Sequence, residues 1–517
     1  MFEAIVWGAV LRFLQAATQA APTLLAGLLV ASVFRCLLGP ERTVRLFGGR
    51  SFRALPQAWA LGMLLPVCSP GVIPVIREMR RAGVSGGALL AFALAAPLFN
   101  PLSLLYGLTL SAPLHIFAFA ACSLIVVTIV GGMWDYWYPE QVLSAPPAPA
   151  ADGAKRWISM VVSAAREIAG GSLGYVAIAL AGVALLSAVL PPGALQTSMN
   201  HDNPWAPLMM TGVAIPAYVT PMMAMSQLGS MFQHGNSVGA AFVLLALGAG
   251  ANLGLLAFML RNYGPRRSLV WLTLITTTVV GLAYLVDKPL FPRGKTPEQH
   301  THVFDVYCRP FHPGQATVKE VWRELSSGIL PYEIIGSLLV AVLLATGIVL
   351  RLGPHRWQIE KWLERTPAAR PINQTWYNRP LRAPELAAAV LLGLIVFSVV
   401  GCFLYYPPAH ETFKDMRIAR TEAISAAISG EEELAEHWID ICDDWARRLE
   451  VGMYLRHGGL NEAQVSSARL FRAELELLEH AVDETDPGTI RLQASKVENA
   501  YQALREAYLS LEIASRP

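Results

Sequence analysis

Two apolar stretches of the sequence combine helix-breaking prolines with side chains that could bind a ligand. Proline lacks an amide donor and frees a backbone carbonyl, so each stretch is expected to be locally unwound. Thiol, hydroxyl and phenol groups would then stand beside the freed carbonyls as further ligands. The predicted binding residues are Cys68, Ser69 and Pro70 in the first stretch, and Tyr218, Thr220 and Pro221 in the second. The alternative is an ordinary kink in each helix, repaired by Ser and Thr hydroxyls.

An asparagine lies in an apolar run at the same place after each stretch, Asn100 in the first and Asn252 in the second. An amide side chain is costly in lipid unless it makes hydrogen bonds. Both residues are therefore predicted to bind substrate along a polar path, or alternatively to cap the tip of a hairpin. The sequence favours neither role.

The two stretches belong to two copies of one pattern. Residues 83–88 are Gly-Val-Ser-Gly-Gly-Ala and residues 235–240 are Gly-Asn-Ser-Val-Gly-Ala, and each is followed at the same spacing by its asparagine. The proline stretches 66–70 and 216–221 match when one residue is inserted in the second. We interpret the copies as a duplication, and a break repeated in both copies favours a binding role over a chance kink.

The composition indicates that these elements lie in a membrane. Of the 517 residues, 54% are hydrophobic and 15% are charged, and the formal net charge is +2. This is too apolar for an average soluble protein. Apolar runs long enough to cross the bilayer, which takes roughly 20 residues for about 30 Å of hydrocarbon, recur along the chain. The sequence predicts an all-α polytopic membrane protein, and no nucleic-acid partner is expected.

The positions of lysine and arginine set the expected orientation. Arginines cluster at residues 42–53 and 77–81, before and after the first proline stretch, whereas residues 82–154 and 167–260 contain neither Lys nor Arg. Because basic residues stay on the cytoplasmic side, the first stretch is expected to be a re-entrant hairpin and the second to enter from the opposite face. This gives two repeats of inverted topology. The alternative, a broken helix that spans fully, gives parallel repeats and fits the charges less well.

The same reasoning divides the chain into six segments. We expect a first membrane repeat at residues 1–137, a linker at 138–155, a second repeat at 156–286, an extracytoplasmic loop at 287–326, an additional transmembrane pair with a cytoplasmic loop at 327–406, and a soluble helical domain at 407–517. The alternation of sides predicts that the C-terminal domain is extracytoplasmic.

The predicted extracytoplasmic loop contains ligand types for zinc or copper at short spacing. These residues are His300, His302, Cys308 and His312. Irregular loops often carry such side chains without a metal, and the spacing fits no standard template. A metal ion in this loop is one alternative, and the sequence requires no other cofactor.

Both glycine turns also fit the pattern G-x-S-x-G, with Ser85 and Ser237 in the nucleophile position. A hydrolase elbow needs a preceding strand and partners of the His and acid type, whereas these serines join apolar helices. The sequence contains no G-x-x-x-x-G-K-[ST] phosphate-binding loop. The chain is therefore not expected to be an enzyme.

The stretch Leu-Pro-Val-Cys-Ser-Pro-Gly-Val-Ile-Pro at residues 65–74, with Ala-Phe-Ala-Leu-Ala-Ala-Pro-Leu-Phe-Asn-Pro at 91–101, resembles the predicted permeases of the ArsP/YraQ type. Residues 215–218 and 248–252 are similar to the second repeat of that family, so the resemblance covers about residues 1–290. It implies efflux of a small solute, such as a metalloid, organoarsenical or metal-related substrate, by alternating access between two pseudo-symmetric halves. The thiol of Cys68 would be a soft ligand, but Pro70 stands where the family often has a second cysteine.

The alternative function is a membrane-anchored sensor or assembly scaffold whose extracytoplasmic helical domain binds a partner protein. As a permease, the chain would lie in the plasma membrane, contact the lipid bilayer and carry a small molecule or ion. Homo-oligomerisation and a partner protein at the C-terminal domain are both open at this point.

Overall fold

The computed structural model of the chain is helical. The structure describes residues 2–49, 51, 53–110, 113–139, 155–191, 193–195, 198–217, 220–291, 303–311, 314, 316–353, 383–483 and 487–514. Across these ranges the chain forms helices and no β-strand, with an isolated antiparallel bridge between Asn200 and Asn236. The all-α fold class predicted from the sequence is confirmed.

The first part of the chain begins with a long helix and continues with two pairs of short helices, each pair separated by an unwound break. A π-helical turn at Phe34–Leu38 joins the first two helices. The helices are α1 (Phe2–Val33), α2 (Gly39–Leu46), α3 (Ala54–Met63), α4 (Ser69–Ala82), α5 (Gly86–Ala95), α6 (Pro101–Leu110) and α7 (Pro113–Trp137).

The second part repeats this order from α10 onward. Its π-helical turns are Glu167–Gly171, between α8 and α9, and Leu244–Ala249, which extends α12. The helices are α8 (Lys155–Arg166), α9 (Leu173–Val189), α10 (Ala206–Ala214), α11 (Pro221–Gln233), α12 (Val238–Val243), α13 (Leu253–Tyr263) and α14 (Pro265–Asp287).

The remaining helices follow a short 3₁₀ turn at Asp305–Tyr307. They are α15 (Val318–Gly328), α16 (Pro331–Leu352), α17 (Ala383–Tyr405), α18 (Ala409–Ser429), α19 (Glu432–His457), α20 (Glu462–Asp483) and α21 (Pro487–Ala514).

Several helices have the length and composition of membrane spans. In the described ranges, four helical stretches qualify singly, namely Phe2–Leu46, Pro113–Trp137, Pro265–Asp287 and Pro331–Leu352. Two bent pairs qualify when each is taken together: Trp157–Gly171 with Leu173–Val189, bent by 61°, and Val238–Ala249 with Leu253–Tyr263, bent by 52°. These apolar helices agree with the predicted polytopic membrane protein.

One constant offset in residue number relates the two copies. The offset that takes Ser85 to Ser237 also takes Cys68, the residue before α4, to Thr220, the residue before α11. It likewise takes the start of α3 to the start of α10. The expected one-residue insertion in the second proline stretch is therefore wrong, because the helix starts align without a gap and the matching prolines occupy different positions of the break.

The direction of the helices in the first copy follows from three close approaches. A Cβ built on Gly62, near the end of α3, would lie 2.9 Å from the amide nitrogen of Ala96, just past the end of α5. At the other end, a Cβ on Gly131 of α7 would meet both Leu55 of α3 and Gly87 of α5. α3 and α5 therefore run in the same direction, and α4, which leads back into α5, runs opposite to both.

The two copies are inverted relative to each other. Arg80, next to the α4–α5 turn, donates a 3.1 Å hydrogen bond to the carbonyl of Asn262, next to the α13–α14 turn. Conversely His115, at the start of α7, contacts the Leu290 carbonyl, and its ring lies tilted against that of Phe232 at the end of α11, with ring centroids 4.8 Å apart. The α4–α5 turn of the first copy thus lies at the same end as the α13–α14 turn of the second, and the start of α7 lies at the same end as the α11–α12 turn.

The chain divides into two compact units. The first contains residues 1–101 and 114–396, and the second contains residues 102–113 and 397–517. In the second unit, α18 to α21 form a bundle whose buried core includes Phe413, Phe471 and Tyr508. Within the same unit, the hydroxyl of Tyr406 donates a 2.9 Å hydrogen bond to the carbonyl of Leu102 on α6.

Candidate functional site

The first break lies between α3 and α4, at residues 64–68. The last carbonyls of α3 are taken by amides of the break, since Leu64 donates to Leu61 at 3.3 Å and Leu65 donates to Gly62 at 3.1 Å. Cys68 then adopts extended geometry as the N-cap of α4, with φ −83° and ψ 172°. Ser69 and Pro70 are the first two residues of α4, where a proline is tolerated because its missing amide would have no partner within the helix.

The corresponding break in the second copy lies at residues 215–220. Ala217 donates to the carbonyls of Val213 and Ala214 at 3.1 Å, which closes the end of α10. Thr220 is the N-cap of α11, and its hydroxyl accepts a 3.1 Å hydrogen bond from the amide of Met223. Pro221 is the first residue of α11. Tyr218, the remaining predicted residue, lies outside the described residues.

The two asparagines mark a further break in each copy. Asn252 is the N-cap of α13, and its side-chain oxygen accepts a 3.0 Å hydrogen bond from the amide of Leu255. Asn100 immediately precedes α6 at the equivalent position. Both side chains are buried, at 4% exposure for Asn100 and 2% for Asn252. Of the two roles left open by the sequence, Asn252 performs capping here, and its part in binding stays a prediction.

The four breaks are neighbours. The first two adjoin where Gly62 approaches Ala96. The two copies meet where a Cβ on Gly250 would lie 3.1 Å from the side chain of Leu94 and 3.2 Å from that of Leu98. A Cβ on Gly182 of α9 would overlap the Pro216 carbonyl of the third break. The same Cβ would lie 3.3 Å from the side chain of Leu253, which follows the fourth break. Unwound backbone from both copies is therefore collected in one buried region.

Small residues allow this close packing. A Cβ on Gly27 of α1 would overlap the carbonyl of Gly71, in the first turn of α4. In the second copy, Gly182 of α9 makes a similar close approach to the backbone of Pro216. Close backbone approach at small residues is the usual way in which helices associate in membranes. The long helices α1 and α9 thus hold the breaks in place.

In each copy, a serine and an aspartate hold one turn in place, the α4–α5 turn in the first copy and the α11–α12 turn in the second. These pairs were not predicted from the sequence. Ser85 donates to Asp135 at 3.0 Å, and the amide of Gly87 donates to the same carboxylate at 2.7 Å. The second copy has the same bonds from Ser237 and Gly239 to Asp287, both at 2.8 Å. The sequence separations are 50 and 48 residues in both copies. This repeated spacing is the signal that could have revealed the pairs.

The same bonds explain the two G-x-S-x-G matches. Ser85 and Ser237 are N-caps that accept hydrogen bonds from the amides of Ala88 and Ala240 at 3.2 Å and 3.0 Å. Each serine follows a helix instead of a strand. His201 lies 3.9 Å from Asp287, and Ser237 bonds to that aspartate directly. The serines therefore serve as structural caps in this fold.

An ionic cluster joins the two copies beside the α4–α5 turn. Glu167, in the π-helical turn after α8, accepts from Arg77 at 2.5 Å and from Arg81 at 3.2 Å. Arg81 also pairs with Glu78, which lies 3.8 Å from Arg35. π-helical turns inside helices occur frequently at functional sites. Here the π-helical turn directs the buried carboxylate of Glu167, in the second copy, toward the arginines of α4 in the first copy.

The predicted metal ligands are only partly described. His300, His302 and His312 lie outside the described residues. Cys308 is buried, and burial raises the pKa of its thiol. Within the described ranges, His, Cys, Asp and Glu side chains form no group of three suited to a metal ion. The metal site therefore stays a prediction.

Around Cys308, the segment 303–311 packs into the first unit. The buried hydroxyl of Tyr307 donates a 2.8 Å hydrogen bond to Gln227 of α11, and Arg12 of α1 donates at 2.7 Å to the Asp305 carbonyl. Arg309 donates from its backbone amide to the Leu190 carbonyl at 3.1 Å. This part of the loop is thus anchored to helices of both copies.

Comparisons with known proteins agree with this architecture. A family model described as a predicted permease, of the ArsP type, matches residues 6–288, which contain both copies. The chain is also similar to the UPF0718 protein YcgR of Bacillus subtilis (strain 168), at 28% identity over 142 residues. That alignment covers 26% of this chain and 47% of YcgR, so the chain spans about half the length of this curated relative. No solved structure matches. Since the family match covers more than half of the chain, the protein belongs to the ArsP-type family of predicted membrane permeases.

Proposed function

We propose that this protein exports a small solute across the plasma membrane by alternating access, with its binding site at the four breaks. Membership of the permease family supports transport in general. The outward direction rests on the resemblance of the sequence to efflux permeases. Residues on both sides of the site, Cys68, Ser69 and Pro70 in one copy and Thr220, Pro221 and Asn252 in the other, would bind the solute.

The observation that carries this proposal is the meeting of the breaks of two inverted copies. Unwound backbone inside a membrane is stable only where protein or a water-lined cavity surrounds it. Transporters with inverted repeats use such discontinuous helices to bind substrate at their interface, and one repeat moves against the other. The close approach of Gly250 to Leu94 and Leu98 supports such an interface between the two copies.

The arginine pattern supports a definite orientation for this site. The α4–α5 turn, with Arg77, Arg80 and Arg81, would face the cytoplasm together with the α13–α14 turn, with Arg266 and Arg267. Arg80 contacts Asn262, so these turns lie at one end of the molecule. Because α4 runs opposite to α3, the α3–α4 pair would enter and leave on that cytoplasmic face as a re-entrant hairpin. The C-terminal domain would then be extracytoplasmic.

Flux measured with a substrate panel in everted membrane vesicles tests the proposal. The Asn252→Ala variant should lose flux, because it removes the α13 cap within the breaks. Asn461→Ala is the matched control, since Asn461 caps the amide of Gln464 at 2.8 Å in the C-terminal bundle. Each change removes one cap worth about 1 kcal/mol. Equal flux in the two variants would overturn the permease proposal. It would also be overturned if the chain carries no solute but captures a partner protein through its C-terminal domain.

Labelling of single cysteines tests the orientation. In a background without the six native cysteines, Arg42→Cys and Arg266→Cys should react from the cytoplasmic side, and Asp202→Cys from the outer side. All three side chains are exposed, so the label can reach each position without disturbing a packed contact. Reaction of Asp202→Cys and Arg266→Cys from the same side would contradict the inverted arrangement.

A further inference from the structure

The first turn of α4 differs from the other capped helix starts of the two copies. The side chains of Ser85, Thr220, Ser237 and Asn252 each accept a hydrogen bond from an amide of the helix that they precede. Cys68, the N-cap of α4, makes no such bond. Its thiol instead donates to the carbonyl of Ala20 on α1, at 3.9 Å. Cys68 therefore supplies no side-chain acceptor to the N-terminus of α4.

A second, independent observation at this helix start concerns the side chain of Ser69. Ser69 is 2% exposed, and its hydroxyl oxygen is buried without a hydrogen-bond partner. A buried hydroxyl without a partner costs about 1–3 kcal/mol, so such groups are uncommon in native proteins and call for an explanation. Its equivalent in the second copy is Pro221, which has no side-chain donor. The first copy therefore holds a donor that the second lacks.

The partial charges around the Ser69 hydroxyl favour a negatively charged ligand. The first amides of a helix have no partner within it and carry a partial positive charge, which amounts to about half an elementary charge for the helix end. In α4, a helix of 14 residues, these are the amides of Ser69 and Gly71. The break sequences 64–68, 96–100, 215–220 and 250–252 contain no Asp, Glu, Lys or Arg. The carbonyls that end α3 already accept amides of the break.

We propose that the solute carried at this site bears a small oxyanion group, which binds at the N-terminus of α4. The Ser69 hydroxyl and the amides of Ser69 and Gly71 would donate to its oxygens, as donors at a helix N-terminus do for phosphate and carboxylate groups. This inference rests on the proposed transport function, since the site is buried and a ligand reaches it when the two copies move apart.

The test measures binding to the purified full-length chain in detergent. Phosphate, sulfate and acetate are the oxyanion probes, compared with chloride at equal ionic strength and equal sodium concentration. We expect at least one oxyanion to raise the unfolding temperature above the chloride value, because a ligand that binds the folded state stabilises it. The Ser69→Ala variant should weaken the apparent affinity by about tenfold, as expected for a hydrogen bond to a charged group.

Ser187→Ala is the matched control. Ser187 is also fully buried, but its hydroxyl donates to the Ala184 carbonyl at 3.0 Å within α9. It should keep the wild-type affinity for the oxyanion. No stabilisation by any of the three oxyanions, or an undiminished response in Ser69→Ala, would overturn the proposal.

Parallel flux measurements separate this inference from the proposed function. If vesicles carry a solute that has no oxyanion group and flux depends on Asn252, the permease proposal survives and the oxyanion proposal fails. If an oxyanion binds in a Ser69-dependent way but no solute of the panel is carried, the binding site survives and the permease proposal fails.

Discussion

Ser237 donates a 2.8 Å hydrogen bond from its hydroxyl to Asp287, the last residue of α14, and the same carboxylate accepts from the amide of Gly239. The bond joins the turn between α11 and α12 to the C-terminal end of α14, a helix that begins at Pro265, 28 residues after Ser237. Ser85 and Asp135 form the equivalent pair in the first copy. Each copy thus has one aspartate that fixes the position of its turn.

Replacement of these aspartates should destabilise the protein to different extents. Asp287 is 8% exposed, whereas Asp135 is only half-buried. Loss of the acceptor leaves the serine hydroxyl and a glycine amide unpaired, which costs about 1–3 kcal/mol in a buried setting. We expect Asp287→Ala to lower the unfolding temperature more than Asp135→Ala, as measured by thermal unfolding in detergent. The exposed Asp202→Ala is the control, and an Asp287→Ala effect no larger than that control would refute a structural role.

Addition of one methyl group to α9 should disrupt the third break, at residues 215–220. The Cβ of Gly182→Ala would overlap the Pro216 carbonyl, so α9 and the break must separate. Overpacking of this kind costs about 1–3 kcal/mol. Because the break is displaced, the Gly182→Ala variant should show reduced flux in the vesicle assay. Gly174→Ala on the same helix is the control, because its Cβ meets nothing within 4 Å. Wild-type flux in Gly182→Ala would show that the break does not need this close approach.

Neutralisation of Glu167 should loosen the contact between the copies. Glu167 is 5% exposed and accepts from both Arg77 and Arg81. Breaking a fully buried pair costs about 3–5 kcal/mol, and the partial exposure of Arg81 reduces that figure. We therefore expect Glu167→Gln to destabilise the chain by about 2 kcal/mol. The exposed Glu41→Gln is the control in the same thermal unfolding experiment, and equal unfolding temperatures for the two variants would rule out a stabilising cluster.

The C-terminal bundle should lose stability in mild acid through His437. Burial lowers the pKa of this histidine below its usual value of 6.5, so the folded bundle favours the neutral ring. The unfolded chain then binds the proton more readily, and stability falls as the pH drops below about 6.5. The His437→Gln variant should show a smaller loss between pH 7.5 and 5.5 than the wild type.

The measurement for His437 is the unfolding temperature of the full-length chain at both pH values. His457→Gln is the control, because His457 is exposed at the end of α19. It is expected to keep the wild-type difference between the two pH values. An unchanged difference in His437→Gln would show that another group determines the acid response.

The helical class, the duplication and the two proline breaks follow from local patterns in the sequence. Apolar runs, prolines at 66, 70, 216 and 221, and N-cap residues such as Thr220 and Asn252 act within a few residues of chain, because backbone preference and capping are local. Equally local patterns around Cys68 and Asn100 carried the family resemblance, which the match over residues 6–288 confirmed.

Which of these elements meet depends on how the helices pack in three dimensions. The bond between Ser237 and Asp287 joins residues 50 positions apart, and the approach of Gly250 to Leu94 joins the two copies. The same packing brings the Cys68 thiol to the Ala20 carbonyl and buries the Ser69 hydroxyl without a partner. Such contacts depend on how helices pack, and packing is set by the shape of surfaces that are distant in sequence, so no short stretch of sequence contains the answer.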